Sequence, residues 1–194
     1  MMLLTLFGMP LAGLAQDATI IKFPSPNGRF AMRITEPNGP DDVERKIELI
    51  EKESGKVMVE LGIAYRAHLP DTVLVWSANS KWVAYGTRGD KDGEASVYFW
   101  NGTAFEEVPL PQQMPEPDIH FGKGAGDSVK NYGGATKPLR WLKTGELELS
   151  SDSMMMSRVN EKGYTGVVKF TVAFDAHRHT TVHKVGKSRT TVDK

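Results

Sequence analysis

The sequence predicts an all-β protein of three consecutive four-stranded antiparallel meanders, a propeller-blade-like arc, with a β-sandwich as the alternative packing. Three observations predict it. After Ala18 the chain runs in short stretches that alternate apolar and polar residues, the period of a half-buried strand. Turn-forming clusters separate these stretches at Pro26-Asn27-Gly28, Glu53-Ser54-Gly55-Lys56, Asn101-Gly102 and Thr144-Gly145, where Asn and Gly accept positive φ at little steric cost. No segment carries a sustained helical period.

The chain opens differently. Leu3 to Ala15 holds no charge and ends in Gly13-Leu14-Ala15, a small-x-small pattern that suits signal peptidase. The run is shorter than the ~20 apolar residues a spanning helix needs, so no stable membrane insertion is expected. Residues 1–15 are thus expected to be a signal peptide, residues 16–186 a single β domain with three repeat units, and residues 187–194 a polar tail. A periplasmic or secreted location follows. Lys plus Arg and Asp plus Glu both number 24, which gives no electrostatic case for nucleic acid as a partner. The absence of cysteine excludes a disulfide framework, thiol catalysis and a cysteine-anchored lipoprotein.

Strands are expected at Arg29–Thr35, Lys46–Glu51, Val57–Leu61, Val73–Trp76, Lys81–Tyr85, Ser96–Trp100, Glu146–Leu149, Val167–Phe174 and Thr180–Val185. Three segments align without gaps, beginning at Pro24, Trp76 and Trp141. Each has a polar turn, one charged residue (Arg29, Lys81, Glu146) and then apolar residues two apart. Phe30, Trp82 and Leu147 fall together, as do Met32, Ala84 and Leu149, and strand alternation puts both positions on one face. A second hairpin follows each segment, turning at Gly55, at Gly102 and near Ala176. The third copy starts later than the spacing of the first two predicts, which marks Pro111–Pro138 as an insertion.

Within these units Ser25-Pro26-Asn27-Gly28-Arg29 resembles the turn of TolB-type β-propeller repeats, and Trp76-Ser77-Ala78-Asn79-Ser80-Lys81-Trp82-Val83-Ala84-Tyr85 is a looser copy. The resemblance implies four-stranded blades that act as a scaffold for protein or ligand contacts. It carries over no catalytic residue, because the matched motif is structural. Three such units fall short of the 4–8 blades of a ring. The end faces must therefore be covered by the insertion and tail, folded as a sandwich, or joined to a second chain.

Candidate chemistry is sparse. His177, His179 and His183 stand at near-alternate positions and offer three imidazoles to a divalent metal, although Arg178 and Lys184 oppose a cation there. Gly122-Lys123-Gly124-Ala125-Gly126-Asp127-Ser128 lacks the residue order of a phosphate loop and reads as a surface loop. Asp90-Lys91-Asp92-Gly93-Glu94 falls short of a calcium loop and reads as a hairpin turn. Arg88-Gly89-Asp90 matches an adhesion tripeptide, and Asn101-Gly102-Thr103 fits the glycosylation sequon while already serving as a turn. Asp118 and His120 share a parity and form a candidate acid–base pair, with Lys123 nearby, whereas His68 is isolated. Met154-Met155-Met156 reads as a partly buried bend and Ser150-Ser151-Asp152-Ser153 as a polar turn.

No catalytic, cofactor or metal residue is assigned. The leading reading is an exported non-enzymatic binding or assembly module whose partner is another envelope protein or ligand. The chain is expected to be a monomer, with a dimer as the alternative. An envelope-acting enzyme or accessory domain with its site in residues 111–138, and a metal-binding protein using the C-terminal histidines, are the competing readings.

Overall fold

The computed structural model describes residues 17–37, 44–65, 71–89, 91–122 and 129–193. The expected signal peptide lies outside them, as do His68, Asp90 and the loop from Lys123 to Ser128. Fourteen strands are described. Sheet A joins β1 (Ala18–Lys22), β2 (Phe30–Glu36), β3 (Arg45–Glu51) and β4 (Val57–Ala64) in that order. Sheet B joins β5 (Val73–Trp76), β6 (Trp82–Gly86), β8 (Ala95–Trp100) and β9 (Phe105–Glu107). Sheet C runs β10 (Val129–Trp141), β11 (Leu147–Ser157), β12 (Gly163–Phe174) and β13 (Thr180–Val185). Two short strands complete it: β7 (Asp92–Gly93) beside β10, and β14 (Arg189–Val192) beside the N-terminal half of β12. Neighbours along each meander are antiparallel. Among the described residues no helix is long and apolar enough to cross a membrane.

Period-two alternation decides how the sheets stack. Phe30, Met32 and Ile34 of β2 meet Val83 and Tyr85 of β6 in one buried cluster. The intervening Ala84 points the other way, with Val97, into a second cluster with Leu147, Leu149, Phe170 and Val172 of sheet C. Sheet B is therefore buried on both faces, and A and C are the ends of the stack. The outer face of A carries the linked ion pairs Arg33–Glu48, Lys46–Glu48 and Lys46–Glu60 at 2.7, 3.0 and 2.9 Å. Isolated apolar side chains such as Ile21 and Ile63 sit exposed near them. The outer face of C carries Arg140–Glu148 at 2.9 Å. Polar end faces let a short stack stop without a sticky surface.

The repeat is written into the turns. Gly28, Ser80 and Gly145, at matching places, all have positive φ: 73°, 59° and 88°. Gly28, Ser80 and Gly145 each donate a backbone N–H to the residue three before, at 2.8, 2.9 and 3.0 Å. In the first two copies a serine hydroxyl closes the turn: Phe30 N–H donates to Ser25 Oγ at 2.9 Å and Trp82 N–H to Ser77 Oγ at 3.0 Å. An indole ties each junction. Trp76 Nε1 donates to the Phe23 carbonyl at 2.9 Å, and Trp141 Nε1, at the matching place, to the Val75 carbonyl at 3.2 Å.

One part of the gap-free alignment is corrected. Ser25 N–H pairs with the Phe30 carbonyl and Ser77 N–H with that of Trp82, but Leu142 N–H pairs with Glu146. The third turn is one residue shorter, so Glu146 stands where Phe30 and Trp82 stand. A one-residue slip exchanges the faces of a strand. Leu147 and Leu149 thus turn back toward sheet B, and Glu146 and Glu148 take the outward positions.

Other boundaries move too. Residues 129–138, read as part of the insertion, lie in β10. Ser150–Ser153 and Met154–Met156, read as turn and bend, are the middle of β11. Asp92–Gly93 forms a parallel bridge to Gly134–Ala135 rather than a hairpin turn. The polar tail includes β14, which continues the edge of sheet C after β13.

Candidate functional site

Sheet C outgrows its neighbour. Its first three strands have 13, 11 and 12 residues, against four to six in β5, β6 and β8. Sheet B covers only the end around Leu147 and Val172, and a strap formed by the chain after β9 covers the rest. Asp118 N–H donates to Ser188 Oγ at 2.9 Å and His120 N–H to Thr190 Oγ1 at 3.0 Å, which anchors the strap along β14. Phe121 packs edge-on against Tyr164, with ring centroids 5.2 Å apart. Ile119 and Pro117 lie against Gly166, where a Cβ would overlap Ile119 Cγ1. Glycine suits the position because the strap's side chains rest directly on the strand there.

Between strap and sheet is a cleft of about 730 Å³. Its floor comes from Thr136, Ser151 and Ser153, and its strap wall from Gln112, Gln113 and Glu116. Ser151 is buried and its hydroxyl shares a 3.0 Å hydrogen bond with that of Thr136. Asp92 closes one end, where Gly133 leaves room for the Lys91 carbonyl just before β7 and Gly134 for the Asp152 carbonyl of β11. Asp152, below the floor, faces Arg88 at 3.4 Å. The lining is hydroxyl, amide and carboxylate, with Met114 and Met155 as its softer surface. Such groups fix a polar ligand by hydrogen bonds. Among the described residues no histidine lines the cleft.

The residues singled out in the sequence are dispersed. Asp118 and His120 do face each other, at 3.8 Å, but their side chains are 77% and 79% exposed and outside the cleft. His179 Nδ1 lies 3.0 Å from Asp175, whereas His183 is bonded to Glu146 of the β10–β11 turn. The imidazoles of His179 and His183 are thus drawn to separate carboxylates, while His177 donates its backbone N–H to Asp175 at 2.8 Å. Among the described residues no group of three potential ligands gathers to hold a metal. The Glu146 carboxyl is held below its ordinary range by hydrogen bonds from Thr144 and His183. Asp175 is held low first by the His179 backbone N–H, against the opposing pull of desolvation.

Sequence reasoning missed Thr136, Ser151 and Ser153 as one surface. The available signal was the run of small polar residues at alternate positions in β11, which reads equally well as a turn. A scan of protein-family models finds none that matches the chain, and a search of curated proteins finds no significant relative.

Proposed function

We propose that the protein is an exported, non-enzymatic binding or assembly module on a TolB-type meander scaffold, with its ligand in the cleft beneath the strap. One observation carries the reading. Where sheet C projects past sheet B, its floor changes from Leu, Phe and Val to Thr and Ser, under a roof that stands off far enough to leave about 730 Å³. A surface meant only to be buried would continue the apolar pattern, because unpaired polar groups are costly to bury. The shared turn geometry of the first two units supports the TolB-type assignment, and the uncharged run ending at Ala15 supports export. Ion-paired outer faces on sheets A and C support a monomer. The partner is another envelope protein or a ligand of the envelope. A pull-down from the protein's own envelope extract tests this, comparing wild type with Ser153→Tyr, which fills the cleft. Specific capture by wild type, lost in the variant, is expected. Equal capture by both, or none by either, refutes the cleft as the binding site.

A further inference from the structure

The two sheet junctions end in matching aromatic clusters, and only at the first does a guanidinium lie over the matched pair of rings. At the A–B junction Phe30 stands 5.0 Å from Trp100 between ring centroids. Arg29 lies over both rings, 5.0 Å from each centroid, and is fixed there by Glu51 at 2.9 Å. A guanidinium over two π faces with a carboxylate behind it is a complete cation site; here the protein fills it itself.

At the B–C junction the matching rings are Trp82 and Phe174, 4.7 Å apart. Trp82 takes the place of Phe30 in the aligned turn, and Phe174, like Trp100, ends the third strand of its meander. Lys81 takes the place of Arg29, but the residue matching Glu51 is Phe99: Phe30 pairs with Glu51 across its sheet, and Trp82 with Phe99. Without a carboxylate to hold it, the exposed Lys81 does not cap the rings. In sheet C the matching residue, Glu146 in the gap-free alignment and Gly145 once the turn is shortened, is no cation. What remains is a notch of about 630 Å³ lined by Trp82 and Phe174. Glu146 and Asp175 present carboxylates at its rim, and Thr144 and His183 complete it. Arg178 lies over a third ring of the same cluster, Phe99, which stands 4.7 Å from Trp82, and is held there by Glu106 at 2.8 Å, so it covers neither Trp82 nor Phe174.

We propose that this notch binds the guanidinium group of an arginine-type ligand, which takes over Trp82 and Phe174 the place that Arg29 takes over Phe30 and Trp100. Glu146 and Asp175 supply the counter-charge. The site is separate from the strap cleft and stands without it.

The test titrates the whole mature protein with N-acetyl-arginine amide, following tryptophan fluorescence and the indole N–H signals by NMR. The neutral, near-isosteric citrulline amide is the control. Saturable binding with Kd on the order of 1 mM is expected for the cation, and none for citrulline. Glu146→Gln and Asp175→Asn should each weaken binding about tenfold, the scale of one charge-assisted contact. Both changes are at surface turns, and a circular dichroism spectrum matching wild type shows that each variant is folded. Free arginine and an Ala-Arg-Ala peptide form two further arms: tighter binding of the peptide assigns the guanidinium to a polypeptide, and equal binding to a small molecule. Absence of saturation in the millimolar range overturns the proposal. So does equal binding of citrulline, or undiminished binding in both folded carboxylate variants.

Discussion

Phe30→Ala is the sharpest probe of the stacked arrangement. Phe30 is 1% exposed and sits among Trp100, Phe105 and Trp76, with centroids at 5.0, 5.0 and 6.2 Å. Removing a buried phenyl ring costs about 3–5 kcal/mol in transfer and cavity terms. The upper half of that range applies, because three rings from the neighbouring sheet lose a partner and each such pair contributes about 0.5–1.5 kcal/mol. Trp82, at the matching place but only partly buried against its cluster, should cost about 2–3 kcal/mol when cut to Ala. Phe30→Leu keeps most of the volume and should cost about 1.5 kcal/mol. Urea unfolding followed by tryptophan fluorescence measures all three, with an unchanged m-value as the check that only stability has moved. In a thermal scan Phe30→Ala should lower Tm by roughly 8–20 °C, at about 2–4 °C per kcal/mol for a domain of this size. The reasoning fails if Phe30→Ala costs under about 1 kcal/mol, or less than Trp82→Ala, since either result would place Phe30 outside a sheet–sheet junction.

Three further outcomes are expected. Ser80 has φ 59° and its hydroxyl accepts a 3.0 Å hydrogen bond from the Asn27 N–H of the neighbouring turn. Ser80→Ala and Ser80→Gly both lose that bond, but only glycine relieves the backbone, so Ala should be less stable than Gly by about 1 kcal/mol in chemical denaturation. Gly166→Ala pushes a methyl into Ile119 and Pro117 and should cost about 1–3 kcal/mol, with faster protease cleavage in residues 111–122 as its specific mark. Desolvation pushes the Glu48 carboxyl up, but hydrogen bonds from Lys46 and Arg33 outweigh it and leave the net value below the ordinary 4.5. A depressed folded value means stability fully present above that ordinary pH and lost as pH falls through the folded value. Glu48→Gln should therefore lose less stability than wild type on acidification from about pH 5 to about pH 3.

Local chemistry made much of the fold legible. The Ser-x-Asn turns, the hairpin at Asn101-Gly102 and the alternation in β2, β3, β6 and β8 are short-range signals, and each appears in the structure where the residues put it. β10 was hidden because Lys130-Asn131-Tyr132-Gly133-Gly134-Ala135-Thr136-Lys137-Pro138 has neither alternation nor β-branched enrichment. Its glycines serve close contacts with β7 and β11 that exist only in the folded chain. The slip at Glu146 was invisible for a related reason: aligned letters preserve Leu147 and Leu149, while the hydrogen bond that fixes register belongs to the turn. Asp118 and His120 come within 3.8 Å of each other, but parity within a loop says nothing of burial, and both stand open to water. The strap cleft joins Gln112 and Gln113 to Ser151 and Ser153, and the aromatic notch joins Trp82 to Glu146 and Phe174. Neither grouping has a local spacing to read.

The two indole bonds have a direction. Each tryptophan reaches backward, from the first strand of its own sheet to the carbonyl of the sheet before it: Trp76 to Phe23, then Trp141 to Val75. They act as hooks, and a row of hooks has a leading and a trailing end. The next latch point is the carbonyl of Arg140, the residue just before Trp141 as Phe23 is just before Pro24 and Val75 just before Trp76. The residue this chain would bring to it, from the sheet A of a second copy, is Pro24, which has neither an indole nor any N–H to donate. A two-chain ring would therefore close without the bond that holds both internal junctions.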